Sequence, residues 1–244
     1  MSVSEVIPLR VVEERKNYPN IDLRKIIQEV GTEEEEKLRK HIERRVNSIV
    51  KKYGEKFEKE NIAMFKRFCE LIGGKYDKFF ESCIVNNGVL SFTNTGQIYL
   101  LRNSHKQLIS PRPELREASI SLVIVQHVDK SIPDKELVIL HENTRNYELL
   151  TSSGVFTTSE LRSRLSNQEV KLSVSVTPLT QTYFYCVKAN SPEEAIAKIY
   201  KWRGLAFECS KALERGEKPG VDFNYIVAVR TIYITTDLYL RKRE

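Results

Sequence analysis

The clearest pattern in the chain is a stripe of apolar residues at helical spacing. Leu38, Ile42, Val46, Ile49, Tyr53 and Phe57 recur at steps of three and four, and Ile62, Phe65, Phe68 and Leu71 continue the series. Such spacing predicts an amphipathic helix. Thr32 and Glu35 form a capping box at its start, and the glutamates Glu33 to Glu36 lie where the helix dipole favours negative charge. Gly54 marks a candidate kink, and Gly73-Gly74 ends the run. Ahead of it, residues 5–14 read as a short strand or an extended arm. Leu23, Ile26, Ile27 and Val30 suggest a short helix over 21–30.

After a short helical stretch at Lys78 to Ile84 the period changes from helical to alternating. Turn clusters at Asn86-Asn87-Gly88 and Thr93 to Gly96 bracket a strand at 89–92, and another follows at 98–101. A loop is expected from Ser104 to Arg116. Strands are predicted at 119–128, 136–142, 145–151, 169–177 and 182–189, with a short helix from Thr157 to Leu165. Ser191-Pro192-Glu193-Glu194 is a strong helix start. Ala195, Ile199, Trp202, Ala206, Cys209 and Leu213 draw that helix on to Gly216 or Gly220. Phe223 to Leu240 reads as strand, long enough to call for a bulge or bend. The expected fold is α+β: a mainly helical N-terminal region over 1–75, then a strand-rich part over 76–244 with a mixed sheet of five or more strands covered by helices. One continuous domain is the alternative reading.

Composition adds a charge bias. The formal net charge is +6, which favours nucleic acid or another polyanion as partner. Charged residues make up 30% of the chain, above the usual quarter, and only two are Met; both lean toward a thermophilic source. Cys69, Cys83, Cys186 and Cys209 form no CxxC pair and sit among apolar neighbours, so reduced, buried thiols are expected. Charges in the first residues do not fit a signal peptide, and no apolar run is long enough to span a bilayer. A cytoplasmic protein with no membrane partner is the expectation.

Several chemistries find no support. There is no GxSxG, GxGxxG or Walker loop, and no HExxH spacing. His41 reads as a solvated helix residue. His127 and His141 would fall at different distances from the 130–135 turn, too far apart to share a metal. What remains is carboxylate-based. Pro133-Asp134 precedes one strand; Glu169-Val170-Lys171 opens another, with Glu169 and Lys171 on one face and Val170 and Leu172 on the other. Carboxylates on neighbouring strands can share a Mg²⁺, and a lysine beside them can stabilise charge at phosphorus.

These residues resemble the PD-(D/E)xK nuclease superfamily, with Pro133-Asp134 and Glu169-Val170-Lys171 as the motif and the helix from Ser191 and final strand as its continuation, over roughly residues 115–240. The resemblance implies a Mg²⁺-dependent DNA endonuclease of restriction-like or junction-resolving type. Asp134 and Glu169 would hold the metal, Lys171 would be catalytic, and Glu114 or Glu117 would assist. It also suggests an archaeal or archaeal-virus setting (host cytoplasm, if virus-encoded); separately, the long helix would pack on the body or mediate contact in a homodimer. Arg44, Arg45, Lys51 and Lys52 on the long helix, with Arg162 and Arg164 near the proposed site, are the expected nucleic-acid contacts. The alternative is a non-catalytic nucleic-acid-binding or assembly protein that uses the basic face of the long helix.

Overall fold

A computed structural model describes residues 9–16, 18–28, 33–71, 74–84, 89–92, 98–102, 105–110, 114–146, 168–200 and 206–242. The fold is α+β. In chain order the described elements are β1 (Arg10–Arg15), α1 (Leu23–Gln28), α2 (Glu33–Leu71), β2 (Lys75–Asp77), β3 (Ser82–Ile84), β4 (Val89–Phe92), β5 (Ile98–Arg102), β6 (His105–Ser110), β7 (Glu114–His127), β8 (Lys135–Asn146), β9 (Gln168–Pro178), β10 (Tyr183–Val187), α3 (Pro192–Tyr200), β11 (Phe207–Glu208), α4 (Ser210–Glu214) and β12 (Tyr225–Lys242). Nine strands form one sheet, ordered β1-β8-β7-β12-β9-β3-β2, with β10 paired to both β12 and β11. β4, β5 and β6 form a second, three-stranded sheet. Every pairing with a defined register is antiparallel, where a mixed sheet was expected.

Two compact units divide the chain, each built from three separate stretches of sequence. The first comprises Met1–Lys52, Ala118–His141 and Thr177–Tyr233; the second comprises Tyr53–Glu117, Glu142–Val176 and Ile234–Glu244. The strand reading of residues 5–14 holds over Arg10–Arg15, where β1 pairs with β8.

In the first unit the stripe residues Leu38, Ile42, Val46 and Ile49 are buried, as their spacing predicts. A core of Val123, Val125, Leu137, Ile139, Val187, Val227 and Val229 holds Ala195 of α3 against the sheet. Ser191 caps α3 as expected: the Glu194 N–H donates to Ser191 Oγ (3.1 Å), while Glu194 Oε2 accepts the N–H of Asn190, one residue before the cap (2.9 Å). The helix is shorter than the apolar spacing suggests. Phe207–Glu208 pairs with β10, and α4 starts afresh after Cys209. Cys209, just ahead of α4, is bonded to Cys186.

In the second unit Tyr53, Phe57, Phe65 and Phe68 are buried, and α2 runs unbroken through Gly54. Gly54 is a close-approach point, not a kink. A Cβ there would lie 3.1 Å from Cγ2 of Val176 on β9. The fully buried Asn61 clamps α2 to the sheet. Its Nδ2 donates to the Arg116 carbonyl (2.9 Å) and Thr236 Oγ1 (2.8 Å), and its Oδ1 accepts the Arg116 N–H (2.8 Å).

Residues 78–84 are a hairpin, not a helix. Asp77 Oδ1 accepts the N–H groups of Phe79 and Phe80, Glu81 has a positive φ of 49°, and β3 returns antiparallel to β2. The expected 104–116 loop contains β6 and the start of β7, and β8 runs on through Asn146, past the end expected at 142; most of the strand expected at 145–151 lies outside the described residues. The helix expected at Thr157 to Leu165 lies outside the described residues.

The four cysteines are not free thiols. Cys69 of α2 is bonded to Cys83 of β3, and Cys186 of β10 to Cys209. Their wide spacing in sequence concealed pairs that the hairpins bring together. Gly74 shows how tightly one of them is packed: a Cβ would fall 2.5 Å from Cys83 Sγ and 2.9 Å from Cys69 Sγ. Gly74→Ala is therefore expected to destabilise the protein by about 1–3 kcal/mol, the usual cost of overpacking. A denaturant midpoint equal to that of the wild type would show that the contact relaxes freely. Among the described residues no helix is long and apolar enough to cross a membrane.

Candidate functional site

The charged residues with the most perturbed surroundings lie in the first unit. Glu136 opens β8 on the strand face that also carries Val138 and Leu140, and it is 1% exposed. His41 and Arg45 stand one helical turn apart on α2 and so share a face. His41 Nε2 lies 2.7 Å from Glu136 Oε2, and Arg45 Nε donates to Glu136 Oε1 at 2.6 Å. Arg45 Nη2 also donates to Glu13 Oε2 (3.0 Å) on β1, and Lys52 Nζ to Glu13 Oε1 (2.6 Å). Burial alone would raise the Glu136 carboxyl. Hydrogen bonds from His41 and Arg45, with the Arg45 charge, instead hold it below its ordinary value. His41 is thus a buried partner of Glu136, not a solvated residue.

Beside this network lies an open cavity of about 520 Å³. Its walls include Lys16, Tyr18, Asp22, Lys25, Lys130 and Asp134. The buried Gln126 carboxamide organises one side. Its Oε1 accepts the Leu23 N–H (2.9 Å); its Nε2 faces Tyr18 Oη (2.9 Å), Asp134 Oδ2 (3.0 Å) and the Ile21 carbonyl. Burial pushes the Asp134 carboxyl up and Asp22 adds to the rise, against the charge of Lys130 and hydrogen bonds from Tyr18 and Gln126. The Tyr18 phenol is raised as well, by burial and then by the Asp134 charge, so it stays protonated and able to donate.

Asp134 is accordingly a cleft residue in a perturbed environment, as a functional carboxylate would be. The cleft's other carboxylates are Asp22 and Glu34. Glu169 and Lys171 are on β9 in the second unit, opposite Ile84 and Ser82 of β3. In the sheet order β7 and β12 stand between β8 and β9, so the two motif strands are not neighbours. Lys171 is half-buried; the Glu169 side chain lies outside the described residues, as do Arg162 and Arg164. Glu114 and Glu117 fall on β7 in the second unit.

Lys130 Nζ lies 3.7 Å from Asp22 Oδ1 and 3.9 Å from Asp134 Oδ2, so an ammonium occupies the space a shared cation would need. Among the described residues no group of three or more His, Cys, Asp or Glu side chains is placed to hold a metal.

The basic helix face is largely committed. Arg45 is buried against Glu136, Lys52 is paired with Glu13, and Lys37, Arg39 and Lys40 pair with glutamates one turn earlier. Arg44 and Lys51 are exposed, with no carboxylate partner among the described residues. Sequence reading missed Lys16, Lys25 and Lys130, which are scattered in the chain and carry no motif. Compared with known protein families, curated proteins and solved structures, the chain matches none.

Proposed function

We propose that this chain is a nucleic-acid-associated protein that binds the phosphate backbone without cleaving it, using the lysine-bearing cleft around Asp134. One observation carries the reading. Lys16 and Lys25 are exposed at this cleft and have no carboxylate partner among the described residues, while Lys130 projects between Asp22 and Asp134. Unpaired ammonium groups around an open cavity favour a polyanion through charge neutralisation and counterion release. The net charge of +6 acts in the same direction.

Fluorescence anisotropy with single-stranded, duplex and branched DNA tests the proposal across a salt series. Binding should weaken steeply with salt and depend little on sequence. Lys16→Ala/Lys25→Ala should lower the slope of log K against log salt by about 2, because each lost phosphate contact removes roughly one counterion. An unchanged slope would place the contact elsewhere, Arg44 and Lys51 being the next positions to change. Incubation of the same DNAs with Mg²⁺ or Mn²⁺ should leave them intact. Cleavage that disappears in Asp134→Ala would replace this reading with the nuclease one.

A further inference from the structure

A second cavity in the first unit, of about 360 Å³, combines an apolar wall with a buried arginine. Leu38 and Ile42 of α2, Phe184 of β10 and Leu213 of α4 supply the apolar surface. Arg230 of β12 stands among them with its side chain 9% exposed. Antiparallel register explains its position. Tyr183 pairs with Val229 and Phe184 with Ala228, and Tyr185, Val187, Val227 and Val229 pack into the core on the opposite face. A charge on this face therefore meets the cavity, not the valine core.

The guanidinium is incompletely satisfied. It has five N–H donors, of which Nη2 reaches Glu43 Oε1 (2.9 Å) and Nη1 reaches Thr182 Oγ1 (3.3 Å). Nε is buried without an acceptor. Glu43 contributes a single oxygen from a side chain that is 50% exposed. A buried guanidinium is best matched by a carboxylate that takes two of its N–H groups side by side.

We propose that this cavity binds a small carboxylic acid with an apolar chain. Its carboxylate forms a two-pronged pair with Arg230, displacing Glu43, and its chain lies against Leu38, Ile42, Phe184 and Leu213. The volume lies within the range of small-molecule sites; the charged lining besides Arg230 is Glu35, Arg39, Glu43 and Glu214, of which Glu43 pairs with Arg230 and Arg39 with Glu36. Glu43 occupies Arg230 in the free protein and swings toward solvent when the ligand enters. The cavity is separate from the Asp134 cleft, so nucleic-acid binding and acid binding stand or fall independently.

Titration calorimetry with octanoate tests this, with octanol, octylammonium and acetate as comparison ligands. Octanoate should bind, and the other three should bind at least roughly tenfold more weakly, since each lacks the charge, the correct sign or the chain. Arg230→Met keeps the volume and apolar character and should weaken octanoate by roughly 30-fold or more. Glu43→Gln, at a half-exposed position that preserves the fold, should tighten octanoate by about three- to tenfold by removing the internal competitor. No heat with octanoate in either wild type or Glu43→Gln would overturn the proposal. So would equal binding of octanol, equal binding of acetate, or preference for octylammonium. If Arg230→Met does not fold, Glu43→Gln decides alone, because unchanged or weaker octanoate binding there excludes Glu43 as a placeholder.

Discussion

Glu136→Ala is expected to destabilise the first unit by about 3–5 kcal/mol, because it strips the partner from a buried arginine. Arg45 is 7% exposed in its side chain and gives its Nε to Glu136; His41 gives its Nε2 contact to the other carboxylate oxygen. With the carboxylate gone, Glu13 remains for Arg45, but only through Nη2. Urea unfolding at pH 7 measures the loss. A companion variant separates lost pairing from lost volume. His41→Leu/Arg45→Met/Glu136→Leu removes all three polar groups together and should be less destabilised than Glu136→Ala alone. If it is more destabilised, the network contributes net stability beyond avoiding an orphaned charge.

The pH dependence has a definite sign. The folded Glu136 carboxyl sits below its ordinary value of 4.5, so its contribution is present above 4.5 and is lost as the pH falls through the folded value. Asp134 acts in the opposite sense. Its folded value lies above 3.8, so its ionisation costs stability as the pH rises past 3.8. Comparing wild type with Glu136→Gln cancels the Asp134 part. The variant should have a flatter stability profile below pH 4.5 than the wild type, and parallel profiles would mean that Glu136 is not held ionised by its partners.

This network also marks where sequence reading stops. The stripe from Leu38 to Phe57 was legible because an α-helix has a fixed period, and each of those residues is buried. The alternation through Val170 to Val176 was legible for the same reason, Leu172 being buried and Val176 meeting Gly54. His41 and Arg45 were not, because the group that buries them is 95 and 91 positions away. Arg230 and Glu43 are 187 apart. Local period states which face a residue occupies and nothing about what meets that face. Strand order is non-local in the same way. Asp134 and Glu169 each precede or open a strand of the expected type, yet two strands from elsewhere in the chain stand between β8 and β9. Strand adjacency is a property that alternation does not encode.

Loss of the two disulfides is the other large expected effect, and it bears on where the protein works. Cys69–Cys83 closes a separation of 14 residues in the second unit, and Cys186–Cys209 one of 23 in the first. By the chain-entropy estimate each contributes about 3 kcal/mol. Breaking both removes an amount comparable to the lower end of whole-domain stability, about 5 kcal/mol. For a chain of this size the melting temperature should fall by roughly 12–24 °C on reduction. Cys69→Ala/Cys83→Ala and Cys186→Ala/Cys209→Ala should each reproduce part of that fall, and calorimetry of the two variants will show whether they shift one transition or different ones. The cross-links must exist in the purified protein for this to hold. Maleimide labelling of the unreduced, denatured chain should modify no cysteine, and labelling of all four would remove the prediction. An ordinary reducing cytosol does not maintain such bonds, whereas an oxidising compartment or the interior of a hyperthermophile does. Two cross-links therefore call for a setting that preserves them. Cross-linked protein recovered from its native source under thiol-blocking conditions would support that setting, and fully reduced protein would count against it.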